Sequence, residues 1–379
     1  MRNVAVIGVG IHQFGRFDKS YQELGREAAV MALKDAGIAW KDIQVGISAS
    51  MNLPPTVSSR IFTSMGMTSS PMFDVECASA SGIVPLWLGY HLIASGAKDS
   101  ILVLGVEQMP RGFMDPRTIY QDWQIKMGIA VNPMYWALWA QRHMAEYGTT
   151  EKQLALVSVK NHKNGALNPY AMYQKEMSLE EVMNSPLVCD PLRLFELCAP
   201  NEGAAAAVLC SEEVARRYTS DPVILAGVSL RSTLYPQTRG PSYSIPSELK
   251  NPWPTTMAAQ EAYELAGIGP EDLDLAEVQD TDAFSEIRYT EELGLCPEGE
   301  GGRFVEEGHS WLGGKLPLNV SGGLLSKGEP MGASAVAMLV DLVWQLRGQA
   351  GARQVEGAQA GLLHVIGAGD NCGVAVCKV

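Results

Sequence analysis

The sequence predicts an α/β fold made of two duplicated βαβαβ halves, and three observations support it. In segment 1–110, short apolar runs alternate with helical patterns, as strands and helices do along such a chain. The run Ser100–Val106 is apolar on both faces, which suits a strand in a sheet that is covered by helices on both sides. A similar order of elements returns in the second part of the chain.

The elements of the first half follow in order from their residue patterns. Val4–Val9 is predicted to be a buried first strand. Glu23–Ala36 carries apolar residues at helical spacing and ends at Gly37, a residue type that is favoured just after a helix. We expect two short strands, an apolar helix, a strand, and a last strand with the start of a helix: Gln44–Ser48, Met72–Glu76, Ser79–Ala94, Ser100–Val106 and Gly203–Ala215.

Internal repetition is the evidence for two halves. Ala29–Ile38 and Ala259–Ile268 keep a constant offset in numbering (259 − 29 = 230), and both end in Ala-Gly-Ile before an acidic turn and a short strand. Pro330–Leu346 repeats the small-residue opening and apolar body of Cys77–Ala94, and Leu362–Gly367 repeats the strand after it. Single echoes of this kind occur in any α/β protein, but several in the same order favour duplication.

These patterns divide the chain into four segments. The N-terminal half covers 1–110, its last strand and helix cover 201–220, and the C-terminal half covers 221–379. Between them, 111–200 is rich in Trp, Met and Tyr, and we expect it to form an inserted loop domain over one end of the sheets. Long insertions commonly carry binding residues.

Composition excludes several classes of protein. The 379 residues are 46% hydrophobic and 19% charged, which is too apolar for a disordered chain. The formal net charge of −13 (29 − 42) argues against a nucleic-acid or anionic-membrane partner. No apolar run approaches the ~18 residues that a membrane span requires, and the first residues are too short an apolar run for a signal peptide.

Cysteine usage points to a reducing compartment. The seven cysteines are odd in number and irregularly spaced, so we expect reduced thiols rather than a disulfide framework. No Cys-x-x-Cys pair occurs, and we expect no metal site. These features predict a cytoplasmic protein.

Cys77 is the first candidate for chemistry. It stands where an apolar strand passes into a helix that opens with small residues, Ala78–Gly82. A thiol at a helix N-terminus is expected to favour the thiolate, and the N–H groups there can hold an oxyanion. The alternative is that Cys77 is only a small buried apolar residue, and its position alone leaves both interpretations open.

Two glycine-rich segments are further candidates. In Asn319–Ser334 the glycines predict backbone that approaches a ligand or turns sharply. The segment lacks P-loop spacing, and Gly8-x-Gly10 lacks the third glycine of a dinucleotide fingerprint, so we expect no nucleotide cofactor. Ile366–Asn371 follows the final apolar strand. The candidate binding residues are Ser321, Gly322 and Gly323.

Six stretches of the chain match the motifs of one known family: Glu76–Gly82, Asp282–Ser285, Glu292–Gly299, Gly313–Asn319, Ser321–Gly323 and Gly332–Ala333. Together they resemble the thiolase superfamily, specifically its sterol-carrier-protein-type thiolases and lipid-transfer thiolase-like proteins. The resemblance implies a five-layered α/β/α/β/α fold, a homodimer and an acyl-CoA substrate without another cofactor. Relatives of this type also work with a small OB-fold acyl-CoA-binding protein, which is a candidate partner.

Family chemistry is a Claisen condensation or its reverse. By resemblance, Cys77 is the nucleophile that takes the acyl group, and its N–H and that of Gly367 form an oxyanion hole. In the family, a His of a Gly-His-Pro motif supports the nucleophile, and a second Cys moves a proton at the α-carbon.

This chain departs from the family pattern at those acid/base positions. Gly328-Glu329-Pro330 replaces Gly-His-Pro, Thr281-Asp282-Ala283-Phe284 lacks both the His and the Cys of His-Asp-Cys-Phe, and Val365-Ile366-Gly367 lacks the Cys of Cys-x-Gly. A Glu329 carboxylate would repel an enolate oxygen. Its protonated form could donate a hydrogen bond, which requires burial to raise its pKa. Losing a general acid/base costs about 10²–10⁴ in rate. Other residues that could take over are His12, His91, His143, His162, His309, His364, Tyr289 and Asp370.

Three functions remain open on the sequence. The first is an acyltransferase in which Cys77 forms an acyl-enzyme from a thioester, with formation or cleavage of a C–C bond. The second is a lyase that cleaves a β-hydroxyacyl-CoA by a retro-aldol reaction, with Glu329 or Asp282 as the base. The third is a non-catalytic acyl-CoA or lipid-binding subunit.

Overall fold

Eleven strands and thirteen α-helices are formed by the residues that the computed structural model describes, namely 2–111, 115–220, 222–234, 252–368 and 371–379. The strands are β1 (Val4–Gly15), β2 (Val45–Ala49), β3 (Met72–Val75), β4 (Ser100–Gln108), β5 (Leu187–Cys189), β6 (Leu192–Arg193), β7 (Glu202–Ser211), β8 (Val223–Ser232), β9 (Leu275–Glu277), β10 (Ala360–Ile366) and β11 (Asn371–Lys378). The helices are α1 (Tyr21–Ala36), α2 (Val57–Phe62), α3 (Ile83–Ala94), α4 (Asp122–Lys126), α5 (Asn132–Tyr147), α6 (Glu151–Ala166), α7 (Leu179–Met183), α8 (Glu212–Ala215), α9 (Pro254–Ala266), α10 (Ala283–Glu292), α11 (Gly301–Glu306), α12 (Gly323–Ser326) and α13 (Ser334–Leu346).

Nine strands join in one sheet in the order β3-β2-β4-β7-β1-β8-β11-β10-β9. The two halves meet where Val4, Ala5 and Val6 of β1 pair antiparallel with β8. Within the first half, β2 is parallel to β3 and to β4, as strands linked by helical crossovers are. In the second half, β10 is parallel to β9.

The two halves repeat one plan. Outward from the junction, the strands of the first half follow in the order β1-β7-β4-β2. The corresponding strands of the second half follow in the order β8-β11-β10-β9. Helices α1 and α9 end at Gly37 (φ 66°) and Gly267 (φ 68°), both left-handed caps. A 3₁₀ turn follows each helix, Trp40–Asp42 and Pro270–Asp272, with the same offset in numbering as in the sequence (270 − 40 = 230). The structure therefore supports the duplication.

Helices form three layers around the sheet. The apolar helices α3 and α13 contact strands of both halves, so the sheet wraps around them. Helix α1 covers the other face of the first half, and α9 that of the second. Gly8 and Gly10 serve this packing, because a Cβ at Gly8 would lie 2.3 Å from Ala32 O and one at Gly10 would lie 2.4 Å from Ala28 O. The α/β fold class is confirmed.

The inserted segment packs against the C-terminal half. Helix α6 contacts α7, α10, α11 and α12, and β5 and β6 form a small separate sheet. An apolar cluster that includes Leu154, Val157, Phe284 and Leu325 joins the segment to helices of that half. The segment thereby supports the loops that precede α10 and α12.

Several elements differ in their bounds from the sequence expectations. The helix expected from Ser79 begins at Ile83, after a series of tight turns from Cys77. The strand β3 ends one residue earlier than expected and forms the edge of the sheet, where Phe73 and Asp74 are exposed. The first strand, expected over Val4–Val9, continues to Gly15. The glycine-rich segment before α13 is buried throughout.

Three features of the described residues bear on the chemical class of the protein. All seven cysteines are free thiols. Within the described ranges, no helix is long and apolar enough to cross a membrane. The same ranges contain no group of three or more His, Cys, Asp or Glu side chains that could hold a metal ion.

Candidate active site

Cys77 lies in a strained turn between β3 and α3. Ala78 has φ 51°, in the left-handed region that residues with a Cβ rarely occupy. The N–H of Cys77 donates to Ser81 Oγ at 2.8 Å, and that hydroxyl donates to Ala78 O at 2.6 Å. The helix begins only at Ile83, so the expectation that Cys77 stands at a helix N-terminus is wrong, because the Ser81 side chain closes a turn there first.

The electrostatic environment keeps Cys77 protonated. Burial raises the pKa of its thiol above the ordinary value, and the nearby Glu76 carboxylate raises it further. The expectation that Cys77 favours the thiolate is therefore wrong. Cys77 needs a base before it can act as a nucleophile.

The last two strands bring Gly367 and Asn371 to Cys77. A Cβ at Gly367 would lie 2.4 Å from Cys77 O, so only glycine permits this approach. Asn371 Nδ2 donates to Cys77 Sγ at 3.8 Å. The N–H of Gly367 donates to Asn371 O at 2.8 Å.

The expected oxyanion hole is closed in this arrangement. Both donors assigned to it, the N–H groups of Cys77 and Gly367, have acceptors within the protein. Gly367 thus lies at the candidate site, where it packs against the Cys77 turn. An oxyanion would have to displace Ser81 Oγ and Asn371 O.

Glu329 is the centre of a second group of polar side chains. It is 2% exposed and accepts hydrogen bonds from Cys198 Sγ at 3.0 Å and from Gln279 Nε2 at 3.4 Å. The Ser79 hydroxyl, two residues beyond Cys77, also donates to it. Gln279 Oε1 in turn accepts from the N–H of Ile366 at 2.6 Å, next to Gly367. Ser79 and Ile366 therefore link the Glu329 group to the Cys77 group.

Burial raises the pKa of Glu329 to about 7, against the lowering effect of the hydrogen bonds from Cys198 and Ser79. Near neutral pH the carboxyl is therefore present both as acid and as base. This is the condition under which Glu329 could donate a hydrogen bond, and it also suits a general acid/base.

The short segment 197–201 holds Glu329 in place. Leu197 forms a β-bridge with Asp282, and Pro200 forms one with Glu329. The N–H of Cys198 donates to Thr281 O at 2.9 Å, and the N–H of Glu329 donates to Ala199 O at 3.0 Å. The segment thus ties the loop of the altered His-Asp-Cys-Phe motif to the loop of the altered Gly-His-Pro motif.

The predicted binding cluster Ser321, Gly322 and Gly323 is occupied by the protein itself. Ser321 is fully buried and donates through its N–H to Glu277 Oε1 at 2.9 Å. A Cβ at Gly322 (φ 102°) would lie 2.8 Å from Gly165 Cα, and one at Gly323 (φ 59°) would lie 2.2 Å from Asp280 Oδ2. The glycines permit close internal packing, so the expectation that these residues line a binding surface is corrected.

Asp282 is a helix cap. Its carboxylate accepts from the N–H of Ser285 at 3.0 Å and from the Ser285 hydroxyl at the start of α10. Burial raises its pKa to about 6. Asp282 is held at the start of α10, whereas Glu329 is bonded to Ser79 of the Cys77 turn, so the structure favours Glu329 over Asp282 as the base.

The histidines have partners away from Cys77. His364, the nearest in sequence to Gly367, contacts Thr255 Oγ1 at 3.3 Å and the ring of Tyr289. Burial lowers the pKa of His364 to about 3 and that of His162 to about 4, so both are neutral. Asp370 lies outside the described residues. The other four histidines also contact residues away from Cys77. His12 contacts Lys19 and Glu27, and His91 contacts Trp87 and Tyr90. His143 contacts Thr149 and Glu291, and His309 contacts Glu307.

Sequence reasoning missed the partners of both groups. Cys198 stood only in the cysteine count, and Gln279 carried no signal. Ser81 lay inside the matching stretch Glu76–Gly82, and Asn371 lay at the end of a singled-out glycine segment. Apart from Ser81, these partners are far along the chain from the groups they contact, so only the fold reveals them.

Comparisons with known proteins assign the family. Residues 4–213 match the family described as thiolase, N-terminal domain, and 244–375 match the thiolase C-terminal domain-like family. The chain is 40% identical to an acetyl-CoA acetyltransferase of Methanothermobacter thermautotrophicus over 97% of each chain. It is 36% identical to sterol carrier protein 2 of Oryctolagus cuniculus, covering 99% of this chain and 72% of the relative. Among solved structures, an Ltp2-ChsH2(DUF35) aldolase is similar in fold, with a TM-score of 0.88, 23% identity, and 99% and 98% of the two chains covered. The chain belongs to the thiolase family.

Proposed function

We propose that this protein is a thiolase-type acyltransferase, in which Cys77 forms an acyl-enzyme from a CoA thioester and Glu329 serves as the general acid/base. The acyl group then enters or leaves by formation or cleavage of a C–C bond. The relative at 40% identity is named an acetyltransferase that uses acetyl-CoA, which supports the same reaction class here.

The proposed acylation moves one proton and one acyl group. The Cys77 thiol gives its proton to the Glu329 carboxylate, directly or through water, and the sulfur attacks the thioester carbonyl carbon. A new C–S bond forms, the bond to the CoA sulfur breaks, and the leaving thiolate takes the proton from Glu329. In the second half-reaction, Glu329 accepts the α-proton of a second thioester, and the resulting carbanion attacks the acyl carbon. A C–C bond forms, the C–S bond to Cys77 breaks, and the Cys77 thiolate takes the proton back from Glu329.

One observation carries the proposal. A buried carboxyl with a pKa of about 7 occupies the position of the family His and bonds to Ser79, two residues from the nucleophile position. A catalytic pKa near the working pH gives both protonation states in useful amounts. Since burial and Glu76 hold Cys77 as a thiol, such a base is what the proposed nucleophile requires.

The test is covalent trapping. The purified protein is mixed with acetyl-CoA and, separately, longer acyl-CoA thioesters, quenched in acid, and measured by intact-protein mass spectrometry with peptide mapping. We expect one acyl group on Cys77, none in Cys77→Ala, and acylation slowed by about 10²–10⁴ in Glu329→Gln.

Cys296→Ala is the matched control, since Cys296 is another free and only partly buried cysteine. It is expected to acylate like the unchanged protein. An adduct that persists in Cys77→Ala, or no adduct with any acyl-CoA, contradicts the proposal.

A retro-aldol lyase is the second candidate, favoured by the raised pKa of Cys77 beside a Glu329 carboxyl poised near neutrality. In this reaction Glu329 takes the β-hydroxyl proton, the Cα–Cβ bond breaks, and the electrons pass to the thioester enolate. Cleavage of a β-hydroxyacyl-CoA that survives in Cys77→Ala and is lost in Glu329→Gln would select this function over acyl transfer.

A homodimer and an OB-fold acyl-CoA-binding partner are part of the proposal. The similar structure described above is an Ltp2-ChsH2(DUF35) aldolase, and the two components in that name support a partner subunit here. Light scattering of the purified chain tests the dimer. Co-purification from the native host tests the partner.

A further inference from the structure

Cys198 is a second thiol at the candidate site that the proposed chemistry does not use. Its Sγ lies 3.0 Å from Glu329 Oε2, and its S–H donates to that oxygen. The backbone fixes this placement, because the N–H of Cys198 bonds to Thr281 O and the next residue, Ala199, accepts from the N–H of Glu329. Two loops whose backbones are hydrogen-bonded in this way therefore bring Cys198 and Glu329 together.

Burial and the carboxylates around Cys198 keep its thiol protonated and therefore able to donate a hydrogen bond. Burial raises its pKa well above the ordinary thiol value, and the negative charge of Glu329 raises it further, followed by Asp280 and Asp282. The thiol therefore stays protonated across the neutral range.

The other groups that face Glu329 are polar and neutral. Gln279 approaches from the end of β9 at 3.4 Å, and the Ser79 hydroxyl approaches from the Cys77 turn. The shift in Glu329 comes from burial, with Cys198 as the first of its hydrogen-bonding partners. Removing the thiol thus removes the main side-chain interaction that favours the ionised carboxyl.

We propose that Cys198 is a positioning residue for Glu329, which holds the carboxyl in its proton-accepting form and orientation through the S–H bond. The inference rests on the proposed role of Glu329 as acid/base. It assigns the two active-site thiols opposite duties: Cys77 reacts, and Cys198 remains a thiol that sets the proton affinity of the base.

The first readout is independent of any substrate. Isotope-edited infrared spectroscopy of protein labelled with ¹³C-glutamate follows the titration of Glu329, with the Glu329→Gln protein identifying its band. We expect Cys198→Ala to raise the titration midpoint by about half a unit to one unit, since a hydrogen bond to the charged form is lost. Cys198→Ser keeps a donor at this position and is expected to restore most of the shift.

The second readout is the pH dependence of Cys77 acylation. The acid limb of the rate profile is expected to move upward with the infrared midpoint in Cys198→Ala and to return in Cys198→Ser. Cys189→Ala is the matched control, because Cys189 is a partly buried free cysteine of the same inserted segment, and it should leave both readouts unchanged.

The outcomes separate the two proposals. An unchanged Glu329 midpoint in Cys198→Ala, or an equal shift in Cys189→Ala, overturns the role of Cys198. A shifted midpoint without acylation in any protein contradicts the proposed function and leaves the pairing intact. Cys198→Val fills the site without a donor and carries the same test should the alanine variant fail to fold.

Discussion

Glu329 shows how one residue changes the meaning of a motif. Where the thiolase family has a histidine, this chain has a carboxyl that is 2% exposed and bonded to Cys198, Gln279 and Ser79. Burial moves its pKa to about 7, into the range where histidine titrates. The substitution thus preserves the working pKa of the position while reversing the charge of its ionised form.

The same burial predicts a cost in stability. A carboxyl whose pKa rises from 4.5 to about 7 on folding binds more protons in the folded state, so stability falls as pH rises across that interval. Glu329→Gln removes the buried charge and is expected to increase the free energy of unfolding by up to about 3 kcal/mol at pH 8, with little gain at pH 4.5. Urea denaturation at both pH values measures it. A gain that is equal at the two pH values would contradict the charge explanation.

At the scale of elements, the start of α13 packs directly on β4. A Cβ at Gly105 would lie 2.4 Å from Gly332 O and 2.7 Å from Ala333 Cα, both backbone atoms that cannot move without shifting the helix. Since Gly332 is three residues from Glu329, this contact positions the Glu329 loop as well as the core. Glu107 assists, because its Oε2 accepts from the N–H of Gly332 at 3.3 Å.

Two glycines on equivalent strands allow a matched test of this contact. Gly105→Ala is expected to destabilise the protein by about 2–3 kcal/mol and to slow acylation of Cys77. Gly361→Ala on β10 would meet only the ends of Leu342 and Leu275 side chains, at 2.9 and 3.2 Å, and should cost about 1 kcal/mol or less with acylation preserved. Thermal denaturation and intact mass measure both, and equal losses in the two variants would argue against a backbone clash.

At the scale of the whole molecule, duplication places two apolar helices between strands of both halves. The strand order of each half then brings together the Cys77 turn after β3 and the Gly367 turn after β10, although one lies early in the chain and the other near its end. The site therefore exists only when both halves are folded and joined. Buried polar groups in the second half contribute to the stability of that assembly.

His364 on β10 makes this stability sensitive to acid. Burial lowers its pKa from 6.5 to about 3, so the unfolded chain binds a proton that the folded chain does not, and stability is lost as pH falls below 6.5. Between pH 7 and pH 5, the free energy of unfolding is expected to fall by about 2 kcal/mol less in His364→Gln than in the unchanged protein. Any packing cost of the substitution is the same at both pH values and cancels in this comparison. Urea titrations at the two pH values provide the comparison. If both proteins lose the same free energy of unfolding between pH 7 and pH 5, His364 does not take up a proton on unfolding.

Sequence patterns determined the α/β class, the internal repeat, the thiolase resemblance and the candidates Cys77 and Glu329, because periodicity, glycine caps and motifs are local along the chain. The role of Cys77 as nucleophile stays a prediction. Only the tertiary structure showed that Ser81 accepts the hydrogen bond from the N–H of Cys77 and that Asp280 fills the space beside Gly323. It also showed that Cys198 donates a hydrogen bond to Glu329. The pKa of a side chain and the availability of an N–H group to a ligand depend on burial and on residues far away in the sequence. Only folding brings those residues together.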